Sequence, residues 1–185
     1  MSILPVYLYG SEILRKKAKP VTEVSNKLVK QILNMFETMR AAEGIGLAAN
    51  QIGSLDRVLV IDLSEVEGYE EVKPLALINP ELLYREGEHT GEEGCLSIPD
   101  VRDKVTRPTI IHVRYRDTNF ELQEVELHDL AARVVLHEVD HLNGVLFIDY
   151  LSAAERKVHK EQLDLIKKAE VETTYPVTTT AKVPA

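Results

Sequence analysis

At 185 residues the chain is the size of one domain and is long enough to bury a sizeable core. A formal net charge of −8 argues against a general nucleic-acid binder, and no apolar run approaches the roughly 18 residues of a membrane span. One cysteine, Cys95, rules out an internal disulfide, and MSILPVYLYG lacks the basic start and apolar core of a secretion signal, so a cytoplasmic setting is expected.

In chain order, Ser11 opens a short helical turn that Pro20 closes. Ser25 is placed to cap a longer helix to about Glu43, with Leu28, Ile32, Met35 or Phe36, and Met39 at helical spacing and Gly44 as its stop. RVLVIDL (57–63) and LALINPEL (75–82) read as strands, separated by an acidic, loop-like stretch. TIIHVRYRD (109–117) and FELQEVEL (120–127) read as a hairpin turning at Asp117–Asn119, with Phe120 and Leu122 on the buried face. A helix from about Asp129 to Asn143 follows, stopped by Gly144; its Leu130, Val134, His137 and His141 share one stripe. Ser152-x-x-Glu155 is a capping box for a helix to about Val171, and residues 172–185 are expected to form a disordered tail after a single domain, 1–171. Strands and helices do not alternate regularly, which favours α+β over a doubly wound sheet.

The stretch VLHEVDHLNGVLF (135–147) carries H-E-x-x-H. Histidines at i and i+4 on a helix can aim ring nitrogens at one cation, and Glu138 between them can take a proton from a water acidified by that cation. Two imidazoles and a carboxylate on an apolar stripe are costly without such a partner. A catalytic site of this kind wants a third protein ligand. The commonest extended motif would place it at 147, where Phe147 has no donor atom. Glu161, on the last predicted helix, and Cys95 remain. Glu161 sits among Lys160, Gln162 and Asp164, as a solvated surface charge would. Cys95 lies beside Glu92 and Glu93, poor company for a buried hydrophobe, between Gly94 and Pro99 on a loop or edge strand. Spacing alone leaves the choice open.

GIGLAANQ (44–51), EGCLS (93–97) and HEVDH (137–141) together resemble, in order, the three motifs of the peptide deformylases, with every fixed residue present. Similarity in kind runs from PVYLYGSEILRKKAKPV to FIDYL (147–151). The resemblance implies an α+β fold with antiparallel strands packed around a central metal-binding helix, and an additional C-terminal helix. It implies hydrolysis of the N-formyl group from the formyl-methionine that begins new polypeptides, with release of formate. Cys95, His137 and His141 would then hold one divalent metal, Fe(II) natively, with zinc, nickel or cobalt as alternatives. Glu138 would be the general base, and the side chain of Gln51 and the backbone N–H of Leu96 would face the oxyanion. Gly46 and Gly94 would meet the peptide backbone, and Ile45, Leu130 and Val134 would wall the methionine pocket. Asp140 would pair with Arg107 and Glu93 behind the ligands.

Two positions depart from what the resemblance leads one to expect: Leu136, where glutamine is common, and Arg133, where an apolar wall residue would be less surprising. Two rival readings are a metallopeptidase using Glu161 and a metal-binding relative that binds methionine peptides without turnover. The partners that the resemblance implies are formyl-methionyl nascent peptides, with transient ribosome contact expected through the basic residues of helix 152–171, and no membrane partner is expected.

Overall fold

The computed structural model describes residues 2–179. Helix α1 spans Asn26–Ala41, and Ser25 caps it by accepting the Leu28 N–H at 3.2 Å. Leu28, Ile32, Met35 and Met39 recur at helical spacing and are buried against Val58 and Val60. The stop differs from expectation. Glu43, not Gly44, takes the left-handed position with φ 54°, while Gly44 donates to the Met39 carbonyl at 2.9 Å. A residue with a Cβ costs roughly 1–2 kcal/mol there. In exchange, Gly44 is free to lie against Leu96, whose Cδ1 is 2.8 Å from where a Cβ would sit.

Five antiparallel strands form the main sheet: β2 (Gly46–Ala48), β3 (Val58–Ile61), β4 (Leu75–Glu86), β7 (Ile110–Arg116) and β8 (Leu122–His128), in the order β2-β3-β4-β7-β8. A separate antiparallel hairpin is made by β5 (His89–Cys95) and β6 (Ile98–Arg107). Sequence reading did not resolve this hairpin, because charged residues and glycine interrupt its alternation.

Hairpin β7–β8 is present, but its second arm is out of phase with the expected one. Phe120 sits in the turn with φ 64°, so Val125 and Leu127 face the core and Leu122 is exposed. With a period of two, a one-residue displacement exchanges the faces of a strand.

Helix α2 (Asp129–Leu142) lies against β2, β3 and β8, and every residue from Ala131 to Val139 is buried. Gly144, with φ 77°, stops it as expected. The expected α+β arrangement around this helix is thus the observed one.

The predicted C-terminal helix is two short ones, α3 (Ala153–Val158) and α4 (Lys160–Lys167). Ser152 and Glu155 form the capping box, but the chain bends at His159, whose ring meets Asp103 at 2.8 Å. The expected disordered tail is corrected for residues 172–179: β9 (Val177–Thr178) pairs in parallel with β1 (Val6–Tyr7). Residues 180–185 lie outside the described residues.

Candidate metal centre

His137 and His141 project from one face of α2, one turn apart, and both are buried. His137 Nδ1 meets Glu93 Oε2 at 3.0 Å, so with Glu93 ionised the ring donates there and presents Nε2 forward. Arg107 grips Glu93 through Nε at 2.8 Å and Nη2 at 2.9 Å, and turns Nη1 to Asp140. The pairing of Asp140, Arg107 and Glu93 is therefore present. Burial alone would raise the Glu93 carboxyl, but the bonds from Arg107 and His137 outweigh it and hold the group down to about 2. Burial drives the His141 ring well below the ordinary histidine range, so it stays neutral, as a ligand must.

Arg133 lines a cleft beside these residues, and its guanidinium turns to Glu93 Oε1 at 2.7 Å and to the carbonyls of Val105 and His89 at 2.9 and 2.6 Å. It clamps the β5–β6 hairpin to α2. A side chain that looked misplaced on a pocket wall is thus a tie between two elements. Leu136 is buried in the core beneath the sheet.

Cys95 ends β5, immediately before the two-residue turn Leu96–Ser97. Its Sγ lies 3.2 Å from His141 Nε2, and the donor atoms of Cys95, His137 and His141 all fall within 4.8 Å of one another. Tetrahedral bonds of zinc-site length would set such donors about 3.4–3.6 Å apart, so this S,N,N set fits one cation. Among the described residues no other His, Cys, Asp or Glu joins the group. Glu161 is exposed on α4, and the Phe147 ring stacks near His137 with centroids 6.2 Å apart.

Gln51 sits on a 3-10 turn, Ala49–Ile52, where its Oε1 accepts the Ala48 N–H at 2.8 Å. Its Nε2 points to the turn, 3.2 Å from Ser97 Oγ and 3.6 Å from Cys95 Sγ. Glu138 lies beneath the glycine segment, with Oε2 buried and unpartnered. Burial pushes its carboxyl up to about 7, partly offset by the charge of His137. Gly46 leaves room for it: a Cβ there would stand 2.6 Å from Glu138 Oε1.

These groups open into a cleft of about 590 Å³ that also brings together Ile45, Gly46, Gly94, Leu96, Leu130 and Val134. Of the three donor residues, Cys95 and His137 line it and His141 does not. Sequence reading missed two contributors, Ser97 and the segment Glu172–Tyr175, which lines the cleft. The apolar island Tyr175–Pro176–Val177 within the polar tail was the available signal.

A family model described as polypeptide deformylase matches residues 3–157. A peptide deformylase of Chlorobium phaeobacteroides (strain BS1) is 50% identical over 175 residues, covering 95% of each chain. One of Salinibacter ruber (strain DSM 13855 / M31) is 47% identical over 186 residues, covering 96% of this chain and 95% of its own. The crystal structure of a peptide deformylase from Legionella pneumophila matches with a TM-score of 0.84 at 37% identity, over 91% of this chain and 98% of that one. Peptide deformylase from Thermus thermophilus matches with a TM-score of 0.82 at 36% identity, over 91% and 100%. Likeness of this extent, in sequence and backbone alike, carries a plain assignment: the chain belongs to the peptide deformylase family.

Proposed function

We propose that Cys95, His137 and His141 hold a divalent cation, natively Fe(II), and that Glu138 is the proton carrier in deformylation. Family membership makes the protein a hydrolase that removes the N-formyl group from new polypeptides. The observation that carries the assignment of roles is the S,N,N donor cluster opening, beside the buried Glu138 carboxylate with its unpartnered Oε2, into a peptide-sized cleft. A thiolate in the donor set suits ferrous iron as well as zinc, nickel or cobalt. When bound, the cation would acidify water and polarise the formyl carbonyl.

The residues do the rest. Glu138 takes a proton from the attacking water as its oxygen adds to the formyl carbon. It delivers that proton to the amine nitrogen as the C–N bond breaks, leaving formate and a free N-terminus; such transfer is worth roughly 10²–10⁴ in rate. Gln51 Nε2 and the Leu96 N–H donate to the developing oxyanion, each worth on the order of 10²–10³. Ile45, Leu130 and Val134 receive the methionine side chain. The substrate backbone lies extended between the edge strands β2 and β5, at Gly46 and Gly94.

The enzyme acts in the cytoplasm on chains leaving the ribosome, and exposed Arg156, Lys157 and Lys160 on α3 and α4 would favour transient contact with it. No helix among the described residues is long and apolar enough to cross a membrane. Reversing those three charges should weaken ribosome co-sedimentation; unchanged co-sedimentation removes this part.

The reaction is tested by formate release from a formyl-Met tripeptide, using anaerobic, Fe(II)-loaded protein. Chelation should abolish turnover, and Glu138→Ala should lower it at least about 10²-fold with metal retained. No formate from folded, loaded protein would contradict the assignment.

A further inference from the structure

The turn Leu96–Ser97 is short, and its contacts come from distant parts of the chain. Ser97 Oγ is met by Gln51, and the Ser97 carbonyl accepts the Tyr9 N–H at 2.8 Å. The Leu96 carbonyl accepts the Tyr175 hydroxyl at 2.8 Å, from a residue 79 positions further along the chain.

Tyr175 is itself held. Thr173 Oγ1 donates to the Tyr175 carbonyl at 2.7 Å. The next residues are tied to β1, where the Val6 N–H donates to the Pro176 carbonyl at 2.9 Å and the Leu8 N–H to the Thr178 carbonyl at 2.8 Å. The ring lines the cleft beside Leu96. Burial, with the charges of Cys95 and Asp100 adding to it, pushes the phenol up to about 12, so the hydroxyl remains a donor through the neutral range.

We propose that Tyr175 is a positioning residue for deformylation: its bond to the Leu96 carbonyl anchors the Leu96–Ser97 peptide, the unit directly after the one that carries the Leu96 N–H, and so limits rotation of that N–H away from the oxyanion. This rests on the reading of Leu96 as an oxyanion donor. A donor confers its advantage only when it is already oriented before charge develops. Leu96 lies in the turn just after β5, which ends at Cys95 with an irregular register at Gly94–Cys95, so β5 alone does not orient it. The strap through β9 supplies the missing constraint from outside the hairpin.

The test is Tyr175→Phe in the full, metal-loaded chain, with Gln51→Ala as the comparison. Removing only the hydroxyl should lower kcat about tenfold, short of the 10²–10³ for losing a donor outright. KM should change less than about twofold, because the contact acts on the transition state and not on bound substrate. Metal content should stay at the wild-type value, and Tm should fall by no more than about 5 °C, as for the loss of one hydrogen bond. If Gln51→Ala loses kcat and Tyr175→Phe does not, the proposal is overturned and the donor reading stands. If neither loses kcat, the donor reading falls and the proposal with it. A Tyr175→Phe protein that loses only Tm or metal, with normal turnover per loaded enzyme, also overturns it.

Discussion

The two halves of the candidate metal centre are built in opposite ways. His137, Glu138 and His141 come from five consecutive positions of α2, fixed by helix periodicity and by burial from Ala131 to Val139. Cys95 and Leu96 come from the end of a hairpin, held by Gln51, Tyr9 and Tyr175 from three other segments. The helix half would keep its geometry if its neighbours moved a little. The hairpin half has no such local rule, and each hydrogen bond holding it has a net worth of only about 0.5–1.5 kcal/mol. Arg107 and Arg133, through Glu93, join the two.

That contrast can be broken most directly at the thiol. Cys95→Ala should lose both bound metal and turnover, read by elemental analysis of the purified protein, because the two histidines alone leave the site short of a ligand. Arg107→Ala comes next. It leaves Asp140 without its cation and Glu93 with Arg133 alone, and loss of one partner from a buried pair costs about 3–5 kcal/mol in urea denaturation. Retained stability in that variant would mean the halves are not tied through Arg107.

Gly46→Ala sharpens the helix side. The new Cβ would stand 2.6 Å from Glu138 Oε1 and 2.7 Å from Val134 Cγ1, so the base must move. Overpacking of this kind costs about 1–3 kcal/mol, and kcat should fall by up to about 10²-fold for a displacement near 1 Å.

A pH titration probes the tie without mutation. Glu93 is held down to about 2 from an ordinary 4.5. A lowered carboxylate adds stability above its unfolded pKa and loses it as pH falls through the folded one. Unfolding free energy should therefore drop between about pH 4.5 and 2, by on the order of 3 kcal/mol from this group. Arg107→Ala should flatten that component. The smallest effect belongs to Glu161→Ala, which should leave metal in place and stability within about 0.5 kcal/mol, as for an exposed side chain.

The same contrast decides what the sequence made legible. Helices α1 and α2, with the Ser25 cap and the Gly144 stop, were readable because period and capping are local. The cluster of Cys95, His137 and His141, which could hold a metal, was legible once three separated motifs were taken together. Misses occurred where a distant contact or an unusual backbone angle overrode a local rule. Glu43 occupies a left-handed position that Gly44 was expected to fill, Phe120 shifts a strand by one residue, and His159 breaks a helix at Asp103. Arg133 does line the cleft, but its ties to β5 and β6 were not legible because those partners are more than 25 positions away. Tyr175 looked like part of a disordered tail for a similar reason: its hydroxyl partner, Leu96, is far back in the chain, and the strand that follows it pairs with the N-terminus.

The central claim is that a hairpin cysteine completes a helical histidine pair around one cation. It is tested most directly by titrating metal-free protein with Co(II) and recording its absorption spectrum. The account predicts saturation at one equivalent, with a near-ultraviolet thiolate-to-cobalt band that vanishes, along with tight binding, in Cys95→Ala. A bound cobalt spectrum lacking that band, or unchanged in the cysteine variant, would contradict it.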